Sequence, residues 1–413
     1  MSLPPPSYNR DSYDFPVPDY SYEPRADEET LEFRQRRQLH GHVTRPTGVF
    51  THQKDGATIV LNHQEDRTPT PVFDRRDNVE GILILDTPGS VSEITLKLTG
   101  TVETVSPSTG RTFIKVLDHT QSLYKSGDSK ASQPTDCPRS LFFSCPIPNT
   151  FKHNSQEYLL PPSYYVLLGG QGQAYYAKCT YNFSVITLKV RSRRTAFLGK
   201  DKKYYGFLFE YSPRSCPLRP VIARSLLSTI KTCPEEWCQF SYELIPKSNK
   251  YNLEPLTCQF FIPSVGVFCI RESIPFHVQL LASNSGAFAK LQSASRMDNS
   301  EPFFQVHFLR QVEINNKEKK SAVHFPLREA TMSPVPPVEV TISESSAQSR
   351  QGQKLDWEGE IPYGGETTLA SSFNAGILAV TDFIVLELST PHKNFFQPFT
   401  HRHPVRLVSD AWR

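Results

Sequence analysis

The chain has 413 residues, of which 34 are prolines, and its formal net charge at pH 7 is only +3. The length predicts two domains, since a single hydrophobic core rarely grows beyond about 250–300 residues. The small net charge argues against a nucleic-acid-binding protein, and no stretch approaches the roughly 18–20 apolar residues that span a bilayer. Because the first residues lack the features of a secretory signal, we predict a cytoplasmic protein whose eight cysteines are thiols.

Residues 1–45 are rich in proline, tyrosine and acidic side chains and contain few aliphatic residues. This composition cannot bury enough apolar surface to offset the entropy of ordering, so we predict a disordered tail. Within the tail, Pro5, Pro6, Ser7 and Tyr8 form a PPxY sequence, the type of ligand that WW domains bind. The prolines favour the extended polyproline II form, and the tyrosine ring fills a pocket of its own. The alternative is a solvated linker without a partner.

Residues 46–222 are predicted to form a first β-sandwich, because short runs of alternating apolar and polar residues are separated by turn signals. Its strands are expected at residues 57–62, 81–86, 93–105, 112–118, 140–147, 175–190 and 204–211. In the long strand, the apolar residues occupy odd positions up to Val185 and even positions from Ile186 onward. Such a change of phase predicts a β-bulge at Ile186.

Residues 223–253 are predicted to be a hinge region, with a helix around Ile222–Thr232 followed by a strand. Residues 254–413 are predicted to form a second β-sandwich. Its strongest strand pattern places Ile274, Phe276, Val278 and Leu280 on one face. Two domains of many short strands without a long helical period predict an all-β chain of two tandem antiparallel, immunoglobulin-like β-sandwiches.

The order of several motifs resembles the arrestin fold, and more narrowly the fungal α-arrestins, which are arrestin-related trafficking adaptors. The resemblance covers roughly residues 56–413. It is carried by the LPPSY sequence at Leu160–Tyr164 with the long strand after it, PEEWCQ at Pro234–Gln239, FIPSVGVF at Phe261–Phe268 and IPFHVQL at Ile274–Leu280. It implies that Pro161–Tyr164, a second PPxY sequence, is a buried structural element rather than a ligand.

The resemblance also implies a function. Members of the family are non-enzymatic adaptors that bind cytosolic parts of membrane transporters or receptors and use PPxY motifs to recruit WW-domain HECT-type ubiquitin ligases. Such a protein would act at the plasma membrane or on endosomes. This chain differs from the family pattern because its candidate motif precedes the sandwiches, whereas family members usually carry theirs in a tail after the second one. The alternative is an arrestin-fold trafficking or signalling scaffold that recruits no ligase.

A basic cluster at the end of the long strand is a second candidate site. It comprises Arg191, Arg193, Arg194, Lys200, Lys202 and Lys203. These side chains could bind phosphorylated cargo tails or an acidic membrane surface through charge-assisted hydrogen bonds. The alternative is a solvated rim of the sandwich.

Enzymatic motifs are not found in the sequence, and we predict neither a catalytic residue nor a cofactor. The glycines of Gly169–Gln173 precede a strand rather than a helix, so we predict a tight turn there instead of a phosphate site. His40 and His42, like His401 and His403, lack a nearby cysteine or aspartate at ligand spacing, so no metal is predicted. An enzyme or a sugar-binding sandwich, the remaining alternative, would need an acidic pair or an aromatic platform on one sheet face.

Overall fold

The computed structural model describes residues 46–126, 136–170, 173–189, 201–221, 226–248, 252–283, 288, 303–316, 319–335, 354–362, 370–389 and 392–412. Residues 46–413 form one compact unit. The described residues are mostly antiparallel β-strands arranged as two sandwiches in tandem, which confirms the predicted fold class.

The first sandwich contains twelve described strands. They are β1 (Gly48–Lys54), β2 (Ala57–Gln64), β3 (Val72–Phe73), β4 (Asn78–Leu85), β5 (Val91–Ser106), β6 (Gly110–Lys125), β7 (Ser140–Pro146), β8 (Thr150–His153), β9 (Gln156–Leu159), β10 (Tyr164–Gly170), β11 (Gln173–Lys189) and β12 (Asp201–Tyr211). A four-stranded sheet has the order β1-β2-β4-β7, and a six-stranded sheet has the order β3-β12-β11-β5-β6 with β10 also paired to β11. Strands β8 and β9 form a separate hairpin.

The second sandwich contains eleven described strands. They are β13 (Trp237–Leu244), β14 (Leu256–Pro263), β15 (Val267–Cys269), β16 (Ile274–Ala282), β17 (Phe304–Asn316), β18 (Lys319–Glu329), β19 (Thr331–Val335), β20 (Lys354–Ile361), β21 (Phe373–Asn374), β22 (Leu378–Leu388) and β23 (Thr400–Val408). One sheet has the order β13-β14-β16-β20-β19, and the other has the order β15-β23-β22-β17-β18 with β21 paired to β22. The segment predicted as a hinge contributes the helix α1 (Leu226–Thr232) and strand β13.

Strand β5 shows how the sequence pattern produces a sandwich. Ile94, Leu96 and Leu98 are fully buried, while Thr95 and Lys97 between them are half-buried on the opposite face. Successive side chains of a strand point to opposite faces of the sheet, so one set packs into the core and the other faces solvent. The alternation therefore fixes which face of β5 is inside.

The β-bulge predicted at Ile186 is wrong. Strand β11 keeps its register with β5 and β12 through this residue, and its pairing with β5 shifts only between Leu188 and Lys189. Thr187 fills the inward-facing site and is 1% exposed, while Ile186 and Leu188 lie half-buried on the outer face. The apolar pattern changed phase because a buried threonine replaced an aliphatic residue, not because the strand is bulged.

The cores of the two sandwiches meet. The hydrophobic cluster of the first sandwich includes Val312 and Ile314 from β17 and Leu378 and Val380 from β22. At the same junction the amide of Asn316 donates a hydrogen bond of 2.9 Å to the carbonyl oxygen of Thr109. The junction between the sandwiches is therefore apolar and continuous with a core, which opposes free rotation of one sandwich against the other.

Candidate binding surfaces

The PPxY sequence Pro5–Tyr8 lies outside the described residues, and it precedes the compact unit that begins at Pro46. Of the basic cluster, Arg191, Arg193, Arg194 and Lys200 also lie outside the described residues. Lys202 and Lys203 are at the start of β12. Of the residues in the two predicted sites, the structure therefore describes only Lys202 and Lys203.

The described part of the basic cluster sits at one end of the six-stranded sheet. Lys189 at the end of β11 is paired with Asp201 at the start of β12. Lys202 is exposed, and the ammonium of Lys203 donates to the carbonyl oxygen of Asp55 at 3.4 Å. Lys189 donates to the hydroxyl of Thr87 at 3.3 Å. Lys189 and Lys203 are thus bonded to neutral oxygen atoms, and Lys202 is exposed to solvent.

The second PPxY sequence is built into the first sandwich, as predicted. Pro161 and Pro162 are buried, and Tyr164 is 9% exposed. The hydroxyl of buried Tyr181 donates to the carbonyl oxygen of Pro161. The ring of Tyr164 packs edge-on against Phe373 with 5.4 Å between centroids. A WW domain cannot reach this copy of the motif unless the sandwich opens.

A buried ion pair lies in the second sandwich, close enough to Tyr164 for its charges to act on that hydroxyl. Arg310 on β17 and Asp382 on β22 are 2% and 0% exposed, and they form two hydrogen bonds of 2.8 and 3.0 Å. The carboxylate also accepts from the hydroxyl of Ser372 at 2.8 Å. Burial raises the pKa of Tyr164 to about 12, an effect that Arg310 opposes. The Tyr164 hydroxyl itself has no hydrogen-bond partner among the described residues.

The outer face of the four-stranded sheet is apolar at its centre. Val60 is paired with Ile82, and Ile82 with Phe142, so their side chains form one row across β2, β4 and β7. Phe142 is 79% exposed. Glu80 on this face accepts hydrogen bonds from Asn78 and Ser144, both at 3.2 Å, and its carboxylate lies 3.8 Å from Nε2 of the exposed His63. An exposed face with an apolar centre and few charges is typical of a protein-binding surface.

Sequence reasoning missed this surface, although it predicted the strand at residues 140–147. A signal was present: the sequence Ser140–Pro146 has no charged residue on either face. A strand with one solvated face ordinarily carries charged or strongly polar side chains there. The six-stranded sheet follows that rule, because its outer face carries the ion pairs of Arg111 with Glu103 at 2.7 Å and of Lys97 with Asp118 at 3.3 Å.

His401 and His403 lie on β23 among aromatic rings rather than beside other metal ligands. The ring of Phe240 is 4.6 Å from that of His401 and 5.0 Å from that of His403, and the Tyr242 hydroxyl is 2.6 Å from Nδ1 of His401. Burial lowers the pKa of both histidines, and the neighbouring His403 lowers the pKa of His401 further. No group of three or more histidine, cysteine or acidic side chains suited to a metal occurs among the described residues.

No helix in the described part of the chain has the length and apolar character required to cross a bilayer. Comparison with known proteins identified no matching family model and no matching curated protein.

Proposed function

We propose that this chain is a non-enzymatic adaptor that binds a WW-domain HECT ubiquitin ligase through Pro5–Tyr8. The observation that carries the proposal is the contrast between the two PPxY sequences. Pro161–Tyr164 is buried in the first sandwich, whereas Pro5–Tyr8 precedes the compact unit in a segment whose composition favours polyproline II. The tail copy is therefore the one suited to a WW groove.

In this proposal the sandwiches bind the cytosolic part of a membrane transporter or receptor, and the tail holds the ligase beside it. Tethering converts ubiquitin transfer from a bimolecular encounter into an intramolecular one, so the chain needs no catalytic residue of its own. The ubiquitinated cargo would then be endocytosed. The chain would work in the cytoplasm, peripherally at the plasma membrane or on endosomes.

The basic cluster Arg191–Lys203 would assist at the membrane. Exposed lysine and arginine near an acidic lipid surface each contribute about 1 kcal/mol of attraction, and salt screens this attraction. Lys202 is exposed at the end of the sheet, which supports its contribution, while Lys203 is already bonded to a backbone carbonyl. Phosphorylated cargo tails offer the same anionic chemistry.

The tail motif can be tested by titrating the WW domains of a HECT ligase with three forms of the full chain. Wild type should bind with a dissociation constant on the order of micromolar or above, as short peptides do. Tyr8→Ala should abolish detectable binding, because the ring fills its own pocket. Tyr164→Phe is the matched control and should bind like wild type, because that ring is buried and its hydroxyl has no partner among the described residues.

Equal affinity of wild type and Tyr8→Ala would contradict ligase recruitment through the tail. The chain would then fit the second candidate, an arrestin-fold trafficking or signalling scaffold without a ligase.

A further inference from the structure

Strand β7 lies at an edge of the four-stranded sheet. It is paired with β4 on one side, from Asn78 with Pro146 to Ile84 with Ser140, and the register does not shift along this length. No other described strand is paired with its opposite side. The edge strand at the same side of the other sheet, β6, carries two bulges and several charges, which are features that oppose strand pairing. Strand β7 carries neither.

The hydrogen bonds that flank β7 show which backbone groups face the free edge. The amide of Leu85 donates to the carbonyl of Arg139 at 2.8 Å, and the amide of Ile147 donates to the carbonyl of Asp77 at 3.0 Å. In an antiparallel pair the residues that exchange these bonds alternate with residues whose groups point away. The odd-numbered residues of β7 therefore bond to β4. The N–H and C=O groups of Ser140, Phe142 and Ser144 point outward.

The outward positions of β7 are symmetric about Phe142. From residue 138 to residue 146, every second residue is Pro138, Ser140, Phe142, Ser144 and Pro146. A proline has no N–H to donate, so the two prolines end a ladder of outward hydrogen bonds at equal distances from its centre. A segment that is symmetric in this way is complementary to an antiparallel copy of itself.

We propose that β7 is the site at which a second copy of this chain binds, as an antiparallel strand related by a two-fold axis through Phe142. Phe142 would face Phe142 of the second copy, and Ser140 would face Ser144. The two-fold axis repeats the pair of Ser140 with Ser144, so there would be three facing pairs, and each would exchange two backbone hydrogen bonds. The two four-stranded sheets would become one eight-stranded sheet.

The apolar row on the outer face is continuous with this interface. Val60, Ile82 and Phe142 of one copy would be followed by the same three residues of the other in reverse order, so six apolar side chains would line up across the two-fold axis. Cross-strand aromatic and β-branched pairs stabilise a sheet. This row explains why Phe142, at 79% exposure, faces solvent in a single copy.

The interface is small. Pairing of two edge strands buries much less than the roughly 800 Å² per partner of a standard stable complex. The dimer should therefore be weak and concentration-dependent, with a dissociation constant on the order of micromolar or above.

The experiment is sedimentation equilibrium of the full chain from about 1 to 300 μM, a range that brackets a micromolar dissociation constant. Two double variants, S140K/S144K and S140E/S144K, test the register. Ser144 donates to Glu80 at 3.2 Å, so a lysine at 144 keeps a donor beside that carboxylate in both variants. In the proposed register residue 140 faces residue 144 of the other copy. S140K/S144K then sets lysine against lysine, and S140E/S144K sets glutamate against lysine.

Wild type should show a reversible monomer–dimer equilibrium. S140K/S144K should raise the dissociation constant about tenfold or more, and S140E/S144K should return it to within about threefold of wild type. Thermal melts of both variants should match wild type, since Ser140 and Ser144 are exposed. A monomeric wild type would overturn the proposal, as would a dimer that S140K/S144K leaves unchanged. Failure of S140E/S144K to restore the dimer would equally overturn this register.

Discussion

At the residue scale, the buried environment of Asp382 makes its carboxylate important for the stability of the second sandwich. Its carboxylate is fully buried and accepts hydrogen bonds from Arg310 and Ser372, so removing its charge would leave a buried guanidinium without a counter-ion. We expect Asp382→Asn to lower the free energy of unfolding by about 3–5 kcal/mol, measured by chemical denaturation.

Glu387 on the same strand provides the matched control for Asp382. It forms an ion pair of 2.9 Å with Lys393, but the two side chains are 26% and 42% exposed. Exposed pairs contribute about 0–1 kcal/mol, so Glu387→Gln should change stability far less. Similar losses from the two variants would contradict a structural role for the buried pair. The period-two pattern separates the two acids, because Asp382 shares the parity of the buried residues of β22 and Glu387 does not. The pattern does not show that Arg310 is the partner of Asp382.

At the element scale, Gly100 allows β5, β6 and β11 to pack closely. It is paired with Leu117 at a bulge of β6, and a Cβ atom at this position would lie 2.6 Å from the ring of Tyr181 and 2.9 Å from the Cβ of Leu117. Gly100→Ala should therefore destabilise the first sandwich by about 1–3 kcal/mol, the usual cost of overpacking a core. Calorimetry or denaturant unfolding would measure this.

Gly89 is the control for Gly100, since a Cβ atom there would meet no atom within 4 Å and the backbone conformation does not require glycine. Gly89→Ala should be close to neutral. Equal effects of the two substitutions would show that loss of chain flexibility, not the contact with Tyr181, determines the result.

The elements themselves were mostly predictable, because a buried face repeats every two residues. Ile94, Leu96 and Leu98, and likewise Ile274, Phe276 and Val278, identified β5 and β16 correctly. The pattern failed where a polar residue is buried, as at Thr187, and it did not locate the bulges of β6. It also could not show which backbone groups of β7 face outward, since that depends on the register with β4.

At the scale of the whole molecule, the second sandwich contains the histidines that burial keeps neutral. Burial lowers the pKa values of His307, His324, His401 and His403, and it lowers that of His392 to about 4. Above pH 6.5 both the folded and the unfolded chain hold these rings neutral. Below pH 6.5 the unfolded chain takes up protons first, so the stability of the second sandwich should fall toward pH 4.

Tryptophan fluorescence is suited to this measurement, because the three tryptophans of the chain, Trp237, Trp357 and Trp412, all belong to its second half. Denaturant unfolding should give a lower stability at pH 5.0 than at pH 7.5, and His392→Gln should reduce the difference. Asp356, whose pKa is about 2 because hydrogen bonds from His277 and Gln279 outweigh the effect of its burial, stays ionised over this range. Identical stability at the two pH values would contradict the prediction.

The relation between the sandwiches could not be predicted from local patterns. Val312 and Ile314 mark β17 as a strand, but nothing in their spacing indicates that they complete the core of the first sandwich. Such contacts join residues about two hundred positions apart in the chain, and a local apolar pattern does not indicate which distant residues meet. The tail motif is the opposite case, because Pro5–Tyr8 is recognised from four adjacent residues of the sequence.

The burial of Pro161–Tyr164 has a consequence for molecules that lose their fold. When the first sandwich unfolds, this segment becomes an extended PPxY peptide, and the chain then offers two such ligands instead of one. A WW domain that binds this segment would favour the unfolded state by mass action, and a ligase with two WW domains would bind the unfolded chain more tightly through two motifs than through one. Under the proposed recruitment of a ubiquitin ligase, damaged copies of the chain would be marked for removal in preference to intact ones.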